Sequence, residues 1–177
     1  MTLEVRPLQP GDVDAMLAFF GRVPAGERAF FKEEVLDRAC VEAWVRDERA
    51  WRALAVDGGD VLGYVAVIPG HGWSDHVAEV RLVVDPSRRR GGVGRALARR
   101  ALVHAAQAGF AKLLVEVVAE QEGAVAMFQA LGYTAEGLLR DQVRDHDGHL
   151  RDLVLLAHSI DDQWSAMATA GIEDAVG

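Results

Sequence analysis

The sequence predicts a single mixed α/β domain on one central sheet of about seven strands. Hydrophobic spacing switches between the strand and helix periods in the order β, α, α, β, β, β, α, β, α, β, β. A strand, a Gly/Arg-rich loop, a helix and a second strand follow one another from Val77 to Val118, the makings of a parallel pair joined by a crossover. The length, 177 residues of which half are hydrophobic, suits one domain with a sizeable core.

The elements follow in order. Leu3 and Val5 alternate with polar residues as a first strand, stopped by Pro7 and Pro10-Gly11. Asp12 is placed to cap a helix with Val13, Met16, Leu17 and Phe20 on one face, broken between Gly21 and Gly26. A second helical region is expected from about Glu27 to Glu48, bent near Asp37. Trp51–Val56 and Val61–Ile68 read as strands around the hairpin signal Asp57-Gly58-Gly59-Asp60. Val77–Val84 is the next strand, and these three should form an antiparallel meander. A helix is expected from about Gly92 to Ala108, burying Val93, Leu97, Ala101, Ala105 and Ala108 and ended by Gly109. Lys112–Val118 is, past its first residue, a continuous apolar strand apart from Glu116, as a strand buried on both faces would be. Gly123–Leu131 is helical, and Tyr133–Asp145 and His149–Ala157 form a hairpin around Asp147-Gly148. Ser159 is placed to cap a last helix carrying Ile160, Trp164 and Met167. The domain is expected over residues 1–158, with 159–177 a C-terminal helical tail.

Composition excludes several classes. No apolar stretch is long enough to span a bilayer, and the N-terminus lacks the pattern of a signal peptide. Cys40 is the single cysteine, so an internal disulfide and a four-cysteine zinc site are excluded, and a reduced, cytoplasmic setting is expected. The net charge of −8 is opposite to that of most nucleic-acid binders and favours a cationic partner.

The informative segment is Val84-Asp85-Pro86-Ser87-Arg88-Arg89-Arg90-Gly91-Gly92-Val93-Gly94-Arg95, which leaves a strand and opens a helix. Glycines let successive backbone N–H groups converge, the helix N-terminus adds partial positive charge, and the arginines add formal charge. Such a loop is suited to a diphosphate. It has neither the Walker order nor the mid-chain-excluding context of the dinucleotide fingerprint.

The pattern Val84-x-Pro86-x-x-Arg89-x-x-Gly92-x-Gly94 resembles the acetyl-CoA motif of the GNAT N-acetyltransferase superfamily. The segment from Ala124 to Gly132-Tyr133 resembles that family's second cofactor element. The resemblance extends from the first strand to about His158 and implies a GNAT-like mixed sheet with helices on both faces. It further implies that backbone N–H groups of Arg89, Arg90, Gly91, Gly92, Val93, Gly94 and Arg95 hold the pyrophosphate of acetyl-CoA, the cosubstrate. The pantetheine arm would pair with Leu82, Val83 and Val84 in a splay between the Val77–Val84 and Lys112–Val118 strands. A backbone N–H near Val83 would meet the thioester oxygen. No metal is implied.

An amine acceptor must lose a proton before it attacks, because its pKa is about 10.4. Glu79, five residues before Val84, is the first candidate for that base. The spacing resembles that of bacterial protein-lysine acetyltransferases of the superfamily. The competing reading is a strand residue paired with Arg81. His76 is the second candidate base. Phe128 stands where many members of the family carry a Tyr that protonates the departing thiolate, and Gln121 where an Asn often opens the helix. Phe128 then packs against the pantetheine, or is an ordinary core aromatic. The acceptor pocket is expected from the helical segment Phe30–Asp37, the His71–His76 loop and the Asp141–Asp152 hairpin. His146-x-x-His149 with Asp145 and Asp152 superficially suggests a metal, but Asp147-Gly148 reads more naturally as a tight turn.

Three functional classes follow. The leading one is acetyl transfer from acetyl-CoA to a small amine or a protein lysine. The alternative, motivated by Phe128, is a non-catalytic acyl-CoA-binding module of the same fold. The third, a nucleic-acid binder using Arg88–Arg90, runs against the overall charge. Neither nucleic acid nor membrane is expected as a partner. The edge of the last hairpin and the Trp164 helix offer a surface for a homodimer.

Overall fold

A computed structural model describes residues 3–28 and 31–160. Seven strands form one sheet in the order β1-β2-β3-β4-β5-β7-β6. They are β1 (Glu4–Pro7), β2 (Trp51–Asp57), β3 (Asp60–Pro69), β4 (Val77–Val84), β5 (Lys112–Val118), β6 (Thr134–Arg144) and β7 (Leu150–Ser159). The helices are α1 (Val13–Arg22), α2 (Ala25–Arg28), α3 (Arg38–Arg46), α4 (Val93–Gln107) and α5 (Glu122–Ala130). β1 to β4 form an antiparallel meander, and β4 pairs in parallel with β5, as expected. Among the described residues, no helix is long and apolar enough to cross a membrane.

Each face of the sheet carries its own core. Leu97, Ala101 and Leu102 of α4 pack on Val65, Val80 and Val115. On the other face, Met16, Phe19 and Phe20 of α1 and Val41 and Trp44 of α3 pack on Leu54, Tyr64 and Ala66. Alternation along the strands sorts the site residues between these faces. Val80 belongs to the α4 face, so Glu79 and Arg81 project to the α1/α3 face. Val115 and Val117 likewise leave Glu116 on the α1/α3 side.

The β2–β3 turn is the predicted one, with Gly58 at φ 58° and Gly59 at φ 96°. Five local expectations change. The helix expected over Glu27–Glu48 is two pieces: residues 31–37 are not helical, so the helical segment Phe30–Asp37 is corrected to a loop, with Phe30 outside the described residues. Asp37 is extended and its side chain accepts from Ala39 N, starting α3 afresh. Asp12 stands at the N-cap position of α1 as expected, but its side chain makes no capping bond; its carboxylate instead takes two bonds from Arg6, both 2.7 Å, and one from Gln9 N. Gly21 lies inside α1, which ends before the extended Val23 that precedes Pro24. Ala108 is exposed just beyond the end of α4, whose buried face is instead widened by Ala98, Leu102 and Ala106. Ser159 ends β7 rather than capping a helix, and Trp164 and Met167 lie outside the described residues.

Candidate active site

β4 and β5 pair only from Val77↔Lys112 to Val80↔Val115. Beyond that point the strands part, leaving Arg81–Val84 facing Glu116–Val118 across a gap. A cleft of about 970 Å³ occupies this splay, of the size that suits a cofactor. Leu82, Val83, Val84, Arg89, Arg90, Gly92, Gly94, Arg95 and Phe128 line it, together with Glu79. Of the sequence-predicted cofactor residues, Gly91 and Val93 stand off the lining. The Val93 side chain is buried in the α4 core, and Gly91 lies in the turn where an added Cβ would meet Arg88 O at 3.2 Å.

The loop after β4 is shaped from within. Asp85 is buried and accepts from Ser87 N at 2.9 Å, Ser87 Oγ at 2.7 Å and Arg22 Nε at 2.8 Å, tying the loop to α1. Arg22 also donates to Val61 O. Burial pushes the Asp85 carboxyl up, but its bonds from Ser87 and Arg22 outweigh that and hold it below the usual range. Arg90 takes a left-handed conformation at φ 61°, and Gly92 follows at φ 83°. Left-handed residues interspersed in a turn make backbone N–H groups converge. No side chain caps α4, so its first N–H groups face the cleft mouth without a side-chain acceptor. A Cβ at Gly94 would meet Met127 Sδ at 3.1 Å and Val84 Cγ2 at 3.3 Å. This cradle, with Arg89, Arg90 and Arg95 around it, fits a diphosphate. Arg89 is engaged by Glu27 of α2, a residue the sequence reading did not single out.

The sheet ladder decides which backbone groups are free. Asp85 N donates to Leu62 O. Alternation along the antiparallel β3–β4 ladder turns Val83 the same way, toward β3. Leu82 and Val84, the two neighbours of Val83, therefore present their N–H and C=O groups to the splay.

At the closed end of the splay lies a cluster of charge. Glu79 Oε1 accepts from Lys32 Nζ at 3.0 Å and from Arg81 Nε at 2.9 Å. Lys32 Nζ also lies 2.9 Å from Glu116 Oε2, and Arg81 Nη1 donates to Glu33 at 2.9 Å. Burial pushes the Glu79 carboxyl up, but Arg81 and Lys32 outweigh it and hold Glu79 below the ordinary glutamate range. Burial likewise lowers Lys32, yet its bonds to Glu116 and Glu79 leave it above the ordinary lysine range. Glu79 is thus an ionised, half-buried carboxylate in the cleft, in contact with Arg81 as the competing reading expected.

The aromatic wall has no proton donor at Phe128, which is buried and packs edge-on against Tyr133 at 5.1 Å. Tyr133 is buried outside the cleft lining, and burial pushes its hydroxyl well above the usual phenol range. The His71–His76 loop is corrected: none of its residues lines the cleft. It precedes the part of β4 that is sealed against β5, and His76 is exposed beside Asp75. The last hairpin contributes Gln142, Val143 and Arg144, brought in by a register shift between Leu139 and Val143 with Asp141 at φ 53°. Asp145, Asp147 and His149 come together at its tip. The Asp145 carboxylate there accepts from Asp147 N, His149 N and Arg151 Nε, the bonding of a tight turn.

The family model described as Acetyltransferase (GNAT) family matches residues 18–133. The mycothiol acetyltransferase of Amycolatopsis mediterranei is 33% identical over 145 residues, covering 75% of this chain and 46% of that protein. The [ribosomal protein bS18]-alanine N-acetyltransferase of Escherichia coli strain K12 is 30% identical over 83 residues, covering 47% of this chain and 55% of that protein. The chain thus spans about half the length of these curated relatives. A putative acetyltransferase from Salmonella typhimurium, solved with its cofactor acetyl-CoA, superimposes with a TM-score of 0.81 at 17% identity, covering 92% of this chain and 96% of that one.

Proposed function

This chain belongs to the acetyltransferase (GNAT) family, and from that premise we propose that it transfers an acetyl group from acetyl-CoA to the amine of a cationic acceptor. One observation carries the proposal: a single cleft has an arginine- and glycine-lined diphosphate cradle at one end and an ionised glutamate at the other. When bound, acetyl-CoA supplies an acetyl group activated as a thioester. Arg89, Arg90, Arg95 and the N–H groups around Gly92 and Gly94 hold its diphosphate. Leu82 and Val84 offer backbone partners to the extended arm, and their N–H groups are placed to meet negative charge growing on the thioester oxygen. Phe128 and Met127 wall the arm and exclude water.

Glu79 takes the proton from the acceptor ammonium, through water or directly, and Arg81 fixes its orientation. A carboxylate with a lowered pKa is a weak base but is fully ionised at neutral pH, and its charge draws the ammonium in. The leaving thiolate needs little help, since a thiol of pKa about 8.5 is a fair leaving group. The acceptor is a small amine or a protein amine. The cluster of Glu79, Glu116 and Glu33 favours a cation in either case.

Mass-spectrometric detection of acetyl transfer, with wild type and Glu79→Gln run against mixed amines and a cell-protein extract, tests the reading. A fall of roughly 10²–10⁴-fold in Glu79→Gln with coenzyme A binding intact is expected. The absence of a proton donor at Phe128 favours a second reading, an acyl-CoA-binding module. Tight coenzyme A binding with no transfer by wild type to any acceptor would establish it instead.

A further inference from the structure

Among the described residues, Lys32 is the cationic side chain at the closed end of the cleft that the transfer reading leaves without a role. Its Nζ bridges Glu79 and Glu116. Glu79 stands one residue before the last paired position on β4, and Glu116 one residue after it on β5. The ammonium therefore sits where the strands part, in contact with the carboxylate assigned to deprotonate the acceptor. An external amine served by Glu79 would need that same place.

The composition points independently to the same residue. Of 19 basic residues, 17 are arginine, and Lys32 and Lys112 are the lysines. Other ion pairs around the site, Arg22–Asp85 and Arg81–Glu33 among them, are made with arginine. A guanidinium stays charged and is a poor nucleophile, whereas an ammonium that loses its proton becomes one. A lysine therefore stands at the cleft position where that difference matters. Lys112 bonds Glu136 and does not line the cleft. Lys32 lies on the non-helical segment 31–37 with its side chain half exposed, so it can swing along the splay.

Resting on the transfer reading above, we propose that Lys32 occupies the acceptor's ammonium seat and is itself an intramolecular acetyl acceptor. Lys32 Nζ gives a proton to Glu79, and its freed lone pair attacks the thioester carbonyl carbon. The N–C bond forms, the C–S bond breaks, and the bonding pair leaves with the sulfur. Of the ammonium's three protons, one passes through Glu79 to solvent, one ends on the coenzyme thiol and one stays on the amide. Acetylation removes the positive charge between Glu79 and Glu116 and leaves both carboxylates open to an external ammonium.

The test is to incubate purified protein with isotope-labelled acetyl-CoA, map the label by peptide mass spectrometry, and run an external amine panel alongside. Lys32 should carry about tenfold or more label than Lys112, as a pre-positioned nucleophile should. The fraction labelled per unit time should not change on dilution. Lys32→Arg, which keeps the ion pairs, should carry no label at position 32, and Glu79→Gln should lose it while still binding coenzyme A. A second readout needs no acetyl-CoA. Calorimetric binding of butylammonium should be severalfold tighter in Lys32→Gln than in wild type, since the seat is vacated. Equal label on both lysines, labelling that falls on dilution, or unchanged butylammonium binding overturns the proposal. So does an unlabelled Lys32 beside an acetylated external amine, an outcome that leaves the transfer reading standing. No label on Lys32 or on any amine, with coenzyme A bound, overturns both.

Discussion

Asp85→Asn separates loop anchoring from chemistry. Asp85 Oδ1 holds Ser87 N and Ser87 Oγ, while Oδ2 takes Arg22 Nε. An amide keeps an oxygen for Ser87 but turns an NH₂ toward a donor, so the Arg22 bond is lost. A hydrogen bond to a charged group contributes about 1.5–3 kcal/mol. Arg22 is half exposed and retains Val61 O, so water recovers part of this and a loss of about 1–2 kcal/mol is expected. If that loss falls on the ordering of the 85–92 loop, the KM for acetyl-CoA rises by roughly 5–30-fold, while kcat at saturation, which depends on Glu79, changes little. Denaturant titration and steady-state kinetics read the two effects. The pH dependence gives the sign. The folded pKa of Asp85 lies below its ordinary 3.8, so its stabilisation is fully present above that value and is lost as pH falls through the lower, folded value. The two proteins should therefore differ in stability at neutral pH and converge in strong acid. A fall in kcat at unchanged KM, or a stability difference that persists in strong acid, would refute the anchoring argument.

Glu27→Gln frees Arg89 from an exposed pair that contributes about 0.2–1 kcal/mol, so calorimetry should find coenzyme A bound up to roughly fivefold tighter. Gly63→Ala puts a methyl 2.8 Å from Leu97 Cδ1 and 3.0 Å from Val83 O, contacts that force β3, β4 and α4 apart. Thermal and denaturant unfolding should show a destabilisation of about 1–3 kcal/mol. Phe128→Tyr adds a hydroxyl to the cleft wall. Because the thiolate is already a fair leaving group, kcat should rise by less than about tenfold, and a larger rise in rapid-mixing assays would show that protonation of the thiolate limits the wild type.

The parts of the fold that were legible are those whose signals are local. β4 and β5 have the expected bounds because Asp85-Pro86 and Gly109 punctuate two largely apolar runs on either side of α4. The segment 31–37 misled because Phe31, Val35 and Leu36 have helical spacing, whereas the conformation is set by distant partners. Lys32 reaches β4 and β5, and Glu33 reaches Trp44 Nε1 and Arg81. The same distinction runs through the site. Glu79 could be found by counting back from the loop, but the pairing of Glu79 with Glu116 exists only once two strands are laid parallel and then part. The charge of Glu116 inside an otherwise apolar run, Leu113–Val118, and the scarcity of lysine were the available signals, and neither has meaning without the splay. The His71–His76 loop is adjacent to Glu79 in sequence yet lies beyond the sealed part of the sheet, where closeness along the chain does not become closeness in space.

The charges around the cleft sort by end, and this bears on how two substrates of opposite sign would share it. Arg89, Arg90 and Arg95 cluster past the end of β4, at the N-terminus of α4. Glu79 and Glu116 lie on the α1/α3 face where the strands begin to part, with Arg81 tied down by Glu79 and Glu33. In a chain with a net charge of −8, the cationic end is a local exception that an anionic coenzyme would be drawn to, while the rest of the surface favours a cationic acceptor. On the proposed reading, the two substrates approach along opposite fields and meet at the last paired position, Val80↔Val115. Both attractions should weaken with salt, because these groups are partly exposed. A charge reversal at Arg90 should then raise the KM for acetyl-CoA and leave the acceptor's KM unchanged, whereas neutralising Glu116 should do the opposite. Equal effects of either change on both constants would mean that the cleft does not sort its substrates by charge.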